Sequence, residues 1–167
     1  MERSGGRHHW LALLVFLVLS FAVAGIGLLA TTPNIPGWYA EAVKPAWTPP
    51  NAVFGPVWTV LYLLIAVAAW LLWRVGAPHR RAPMVAYGVQ LGLNLLWTPV
   101  FFAGYPVFGA AALWIGLGVI VALDAAIVVQ IALSARHSRL AAWLLVPYLL
   151  WCLYATTLNA GIAFLNG

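Results

Sequence analysis

Residues Trp10–Ala30, W-L-A-L-L-V-F-L-V-L-S-F-A-V-A-G-I-G-L-L-A, hold no charge and a single hydroxyl. A run of about 20 such residues forms ~30 Å of helix, the thickness of a bilayer's hydrocarbon core. A helix also satisfies its own backbone hydrogen bonds, which lipid cannot do. Outward from this stretch the pattern recurs, so that spans are drawn near residues 10–29, 52–73, 82–103, 106–133 and 138–165. Pro49 and Pro50 suit the start of the second. The expectation is an all-α membrane protein, one transmembrane domain over residues 1–167 built as a five-helix bundle. With 65% hydrophobic and 7% charged residues, a water-soluble core is excluded. Arg3 and Arg7 before the first run resemble a signal peptide's basic start, but the run is long enough to span and further spans follow, which argues against cleavage.

Of eight basic residues, Arg3, Arg7, Arg74, Arg80, Arg81, Arg136 and Arg139 fall in the N-terminal tail or in the second and fourth connections. Only Lys44 falls on the other side. Basic residues are retained on the cytoplasmic face, so five spans place the N-terminus inside and the C-terminus outside. The net charge of +5 is therefore a topology signal, and nucleic acid is not implied. Cys152 is the one cysteine, so no intrachain disulfide can form; in its apolar run it reads as a small buried hydrophobe.

The connection at residues 31–50 is the longest. Loops of ~20 residues in compact proteins are lids, binding loops or disordered, and this one sets Trp38, Tyr39 and Trp47 among five prolines. Stiff backbone and large rings favour a lid on the non-cytoplasmic face. The connection between the third and fourth spans is nearly absent, Gly104 and Tyr105 alone, which predicts a tight hairpin.

Rings and amides converge below that lid. Phe54, Trp58 and Tyr62 stand at i, i+4 and i+8 in the outer half of the second span. Asn94, Trp97 and Phe101 form a matching stripe in the third, Trp151, Ala155 and Asn159 another in the fifth, and Trp114 of the fourth lies at a similar depth. Any one such ring is most simply a packing contact. Asn94 and Asn159 weigh against that for the set, because an amide in hydrocarbon needs a partner or a polar cavity. An apolar pocket with a few fixed polar groups explains the set better.

Trp10, Trp70, Trp73 and Trp143 lie at the cytoplasmic ends and read as interface anchors. Gly88 and Gly92 form a G-x-x-x-G step that suits close helix approach, within the monomer or between monomers. Pro147 either shapes a cavity or simply packs. Asp124 is the one acid inside a span; a protonated or hydrogen-bonded structural acid is favoured over a relay, since no second buried acid or base accompanies it. His8, His9, His79 and His137 fall in the inner segments, so a histidine-held metal in the outer pocket is disfavoured. No hydrolase, phosphate-loop or metalloprotease pattern is present.

Four segments carry a resemblance: W-Y-A-E-A-V-K-P-A-W-T-P-P (38–50), F-G-P-V-W-T-V-L-Y (54–62), Q-L-G-L-N-L-L-W-T-P-V-F-F (90–102) and V-P-Y-L-L-W-C-L-Y-A-T-T-L-N (146–159). Together they strongly resemble the tryptophan-rich sensory protein family, also called translocator protein or peripheral benzodiazepine receptor. The N-terminal tail and fourth span match least. The resemblance implies a five-helix homodimer in a bacterial cell membrane, with a pocket under the first loop and no obligatory cofactor. Family ligands are protoporphyrin and haem, sterols, and synthetic isoquinolines or benzodiazepines. Carried over by motif, the ligand-binding residues are Tyr39, Pro50, Phe54, Trp58, Asn94, Trp97, Phe101, Trp151 and Ala155, with Trp38, Tyr39 and Trp47 as the lid. Trp58 and Trp151 match tryptophans linked in bacterial relatives to light-dependent porphyrin breakdown. The sterol motif of animal relatives is broken here, because Asn159 is followed by Ala160 and no basic residue comes after it; such motifs are weak even when intact. The resemblance thus implies a receptor or carrier for porphyrin-type tetrapyrroles, with a porphyrin-degrading enzyme and a regulatory interaction protein as the alternatives.

Overall fold

The computed structural model describes residues 3–167, with the side chains of residues 3–7 and 77–78 outside the description. Arg3 and Arg7 of the charge argument fall in that group. Five helices are long and apolar enough to cross a membrane: α1 (Arg3–Thr31), α3 (Phe54–Trp73), α4 (Ala77–Thr98), α6 (Ala110–Ala135) and α7 (Arg139–Asn166). Two short helices, α2 (Trp38–Glu41) in the long loop and α5 (Tyr105–Phe108), sit at one end of the bundle. Arg74, Arg80, Arg81, Arg136 and Arg139 sit at the other. Among the described residues there is no strand.

Around the bundle α1 packs on α3 and α4, α3 on α7, α7 on α6, and α6 on α4, which closes the ring. Its axis is filled by Ile65, Leu72, Leu113, Ile120, Leu123, Ile127, Leu145, Tyr148 and Ile162, all fully buried. Among the described side chains of α1 the buried ones are Phe16, Ser20 and Val23, at i, i+4 and i+7, and most of the other large ones face outward. That outward surface is apolar because lipid is its solvent, and a helix presented to lipid needs only a narrow stripe for its neighbours.

The helix ends have local causes. The Ser138 hydroxyl accepts a bond from the Ala141 amide and starts α7. Pro50 precedes a single 3-10 turn, Asn51–Val53, that leads into α3. The third span does not run evenly to Ala103. Pro99 has no N–H to give to the Leu95 carbonyl, and the chain widens into a π turn over Pro99–Ala103, with the Gly104 amide reaching back to the Pro99 carbonyl at 2.9 Å. The tight hairpin is also corrected: after Gly104 the chain makes α5, then breaks at Gly109, and the long helix starts at Ala110 rather than Pro106. Gly109 stands at φ 57°, ψ −139°, which only glycine adopts without strain.

At the arginine-bearing end Trp10 stacks on Trp70 (6.1 Å), and the Trp70 indole N–H donates to the His9 carbonyl at 2.9 Å. Trp143 is 70% exposed there. These are the positions of interfacial anchors. Trp114 departs from its expected place: it is 43% exposed and lies edge-on against Phe164, outside the bundle. Gly88 and Gly92 are exposed, and a Cβ at either would meet nothing within 4 Å. Close packing inside the monomer is therefore not what that step does.

Replacing Gly109 by Ala should cost about 1–3 kcal/mol, because a Cβ there meets no neighbour but the backbone remains strained. Gly118→Ala, also in open space but in mid-helix, should be neutral or stabilising by up to ~1 kcal/mol. Thermal midpoints in detergent check the pair. Equal midpoints for the two variants would contradict the assignment.

Candidate functional site

Two layers of rings and amides lie at the loop-covered end. The upper layer is a roof. Trp38 stacks on Tyr105 at 4.1 Å between ring centres and meets Phe101 edge-on at 5.7 Å, while its indole N–H donates to the Phe102 carbonyl at 2.8 Å. That carbonyl is available because the residue four positions on is Pro106, which has no N–H to offer it. Tyr39 is buried against Phe101 and Phe102, with the Lys44 ammonium 4.9 Å from its ring centre. Burial, and secondarily the Tyr154 phenol, pushes the Tyr39 hydroxyl above its ordinary pKa of 10.0. Packing that depends on the neutral phenol is thus fully present below that pH and is lost only as pH rises through the raised value.

Beneath the roof Trp97 stacks on Phe101 and donates its indole N–H to the Asn159 side-chain oxygen at 3.0 Å; the Asn159 amide donates in turn to the Leu113 carbonyl at 2.9 Å. Gly116 lets α6 come this close, since a Cβ there would lie 3.2 Å from the Asn159 oxygen.

The lower layer is a directed chain of hydrogen bonds across three helices. The Tyr62 hydroxyl of α3 donates to Asn94 Oδ1 of α4 at 2.7 Å. Asn94 Nδ2 donates to the Tyr148 hydroxyl of α7 at 2.9 Å, and that hydroxyl donates back to Gln90 Oε1 of α4 at 2.9 Å. All four residues are buried. Trp58 covers the chain, 5.4 Å from the Tyr62 ring and edge-on to Tyr148 at 6.2 Å. Phe54 meets Trp151 edge-on at 5.8 Å, and the Trp151 indole N–H is buried without a protein partner.

Where the pocket is expected, the rings and amides pack on and hydrogen-bond to one another. Beside it lies an apolar groove of about 660 Å3 between α3 and α7, lined by Pro56, Val57 and Val60 on one side and by Pro147, Trp151 and Tyr154 on the other. Trp151 stands in both the interior and the groove wall. Pro147 lines this groove. Ala155 is buried one turn from Asn159, and Pro50 is exposed at the start of the 3-10 turn, in neither layer.

The long loop is fastened to α7 by its backbone as much as by its rings. Val43 exchanges two hydrogen bonds with the Asn166 side chain, at 2.9 and 2.8 Å, and the Tyr154 hydroxyl donates to the Trp47 carbonyl at 2.6 Å. Pro45 rests over Gly161, where a Cβ would collide with its ring. Trp47 is 56% exposed and donates to the Thr157 hydroxyl at 3.3 Å, so it clasps the loop and does not roof the site. Apart from both layers, Asp124 Oδ2 accepts from the Thr156 hydroxyl at 2.7 Å, the bond of a structural acid.

Sequence reasoning missed Tyr148, Gln90, Tyr105 and Asn166. Gln90 could have been found, since it lies one turn before Asn94 on the same face, and Tyr148 shares the face of Ala155 and Asn159.

A five-span bundle of this kind, with a tryptophan-bearing loop tied over an aromatic and amide core, defines an integral multi-pass membrane protein. The TspO/MBR family profile matches residues 13–165, and the chain belongs to the TspO/MBR family. It is 38% identical to the tryptophan-rich protein TspO of Archaeoglobus fulgidus over 93% of this chain and 97% of that protein. It is 34% identical to the tryptophan-rich sensory protein of Cereibacter sphaeroides over 94% and 92%. It is 39% identical to the human translocator protein over 73% and 70%.

Replacing Tyr154 by Phe together with Asn166 by Ala should release the loop while leaving the bundle intact. Amide hydrogen exchange at residues 42–48 should then quicken by on the order of tenfold or more, as three bonds of ~1 kcal/mol each are lost. Unchanged exchange in that segment would refute the clasp.

Proposed function

We propose that the chain is a membrane receptor or carrier that binds porphyrin-type tetrapyrroles, protoporphyrin or haem, through ring stacking at the loop-covered end. The observation that carries this reading is the double position of Trp151, whose ring packs on the buried core with its indole N–H unpartnered and also walls an apolar groove of about 660 Å3. That volume falls within the usual range for small-molecule sites, roughly 300–1,000 Å3. Planar macrocycles gain most from indole faces; Trp58 of α3 covers the lower layer, and Trp151 of α7 stands at the groove. A ligand reaching from the groove toward Asn94 exchanges the Tyr62–Asn94 bond for one of its own, which gives a polar anchor at little net cost. Relatives named as sensory and translocator proteins fit binding followed by signalling or transport. Degradation of the porphyrin would need the same two indoles. The open Gly88 and Gly92 face of α4 supports pairing as a homodimer, and the arginine bias supports a cytoplasmic N-terminus.

Titration of the purified protein with protoporphyrin, followed at the ligand's Soret band, tests the reading. Changing both Trp58 and Trp151 to Phe should weaken binding on the order of tenfold, as expected for two stacked rings. An unchanged Kd would contradict the assignment. Illumination of the wild-type complex then separates the two outcomes: a discrete product that requires either indole marks turnover, and an unaltered ligand spectrum marks a receptor.

A further inference from the structure

The arginine-bearing end holds a second concave site, on the far side of the bilayer from the loop. Trp73 closes α3, and Arg80, Arg81, Met84 and Val85 follow on the first turns of α4; together they line a cavity of about 420 Å3. The Arg80 guanidinium lies 3.8 Å from the Trp73 ring centre, and its Nη1 donates to the Trp73 carbonyl at 3.3 Å. One bond therefore caps the last turn of α3 and fixes the plane of a side chain that carries five N–H donors. Arg81 is exposed beside it. On the same helix end the Arg74 guanidinium stands 4.9 Å from the Trp70 ring centre.

These cations have no counter-charge among the described residues. The chain has three acids: Glu2 precedes the described residues, Glu41 lies in the loop at the opposite end, and Asp124 sits in the middle of α6, bonded to Thr156. The floor of the cavity is apolar. Trp73 and Met84 are half-buried, and Val85 is 61% exposed on the outward face of α4. Two guanidiniums on the rim of an apolar floor, at the depth where a helix leaves the hydrocarbon, match a molecule with an anionic head and a long apolar tail.

We propose that this cleft binds one anionic phospholipid of the adjoining leaflet, its phosphate held by Arg80 and Arg81 and an acyl chain laid along Met84 and Val85 against the Trp73 ring. Free phosphate would use the arginines and leave the apolar floor idle. If the arginines served topology alone, they would be equivalent to Arg136 and Arg139 at the same end. The bound lipid ties the start of α4 to the end of α3, adding to the Arg80–Trp73 contacts.

Native mass spectrometry of the full-length protein tests this, with phosphatidylglycerol and phosphatidylcholine of identical acyl chains as probes. Wild type is compared with the Arg80→Gln, Arg81→Gln pair and with the Arg136→Gln, Arg139→Gln pair, which removes the same charge elsewhere. The wild type and the second pair should retain a phosphatidylglycerol adduct at an affinity on the order of tenfold above phosphatidylcholine, and the first pair should lose that preference. Millimolar inorganic phosphate should not displace the lipid. An unchanged far-ultraviolet spectrum certifies the fold. If the Gln pair fails that check, the Met84→Ser, Val85→Ser pair, which keeps both charges and removes the apolar floor, carries the same expectation. Equal loss in both arginine pairs, no preference over phosphatidylcholine, or displacement by phosphate would each overturn the proposal.

Discussion

A carboxamide in the hydrocarbon layer has no water to bond with, so its partner must come from another helix. Asn94 meets this constraint with two phenols from across the bundle, one on α3 and one on α7, and the rest of the site is arranged around that solution. Tyr62, Asn94 and Tyr148 can meet only if α3, α4 and α7 are rotated to one setting, and that setting lays Trp58 over the two phenols. Asn159 makes the second tie, from α7 to Trp97 of α4 and to the backbone of α6. Such interhelical bonds average only ~0.6 kcal/mol each in a bilayer. An orphaned partner costs more, ~1–3 kcal/mol. The bonds therefore select one packing over its rivals more than they add net stability.

The spans were legible because an uninterrupted apolar run has one meaning in a chain with so few charges. The Asn94, Trp97 and Phe101 stripe was legible because helical period fixes a face, and in this bundle that face does point inward. Period does not name a partner, so the roles of Tyr148 and Gln90 stayed hidden although both lie on inward faces. Nor does depth imply direction: Trp114 sits at the height of the other rings but on the lipid side of α6. Trp47 belongs to the same lesson, since a ring in a long loop can fasten that loop as readily as cover a site. The break at Gly109 was missed because Pro106 suits a helix start, and only the backbone angles reveal that the long helix begins one short turn later.

Two prolines explain how the roof comes to be built at this end. Pro99 stops the regular ladder of α4 and opens a wider turn, and Pro106 leaves the Phe102 carbonyl without its helical donor. Trp38 supplies that donor from the loop. A defect in one helix thus becomes the docking point for another segment, and the long connection is held by specific bonds at both ends. The lateral groove lies below this fastening, so a hydrophobic molecule can approach Trp151 from the bilayer while the loop stays tied.

The most direct test of this account is the coupling between Tyr62→Phe and Tyr148→Phe in a double-mutant cycle on the unfolding free energy in bilayer-mimicking bicelles. If Asn94 links the two phenols, their effects should be non-additive by roughly 0.5–1 kcal/mol, because loss of either frees the amide to relax toward the other. Strict additivity would mean that the two hydroxyls act independently, and the hydrogen-bond chain would no longer account for how the three helices are set.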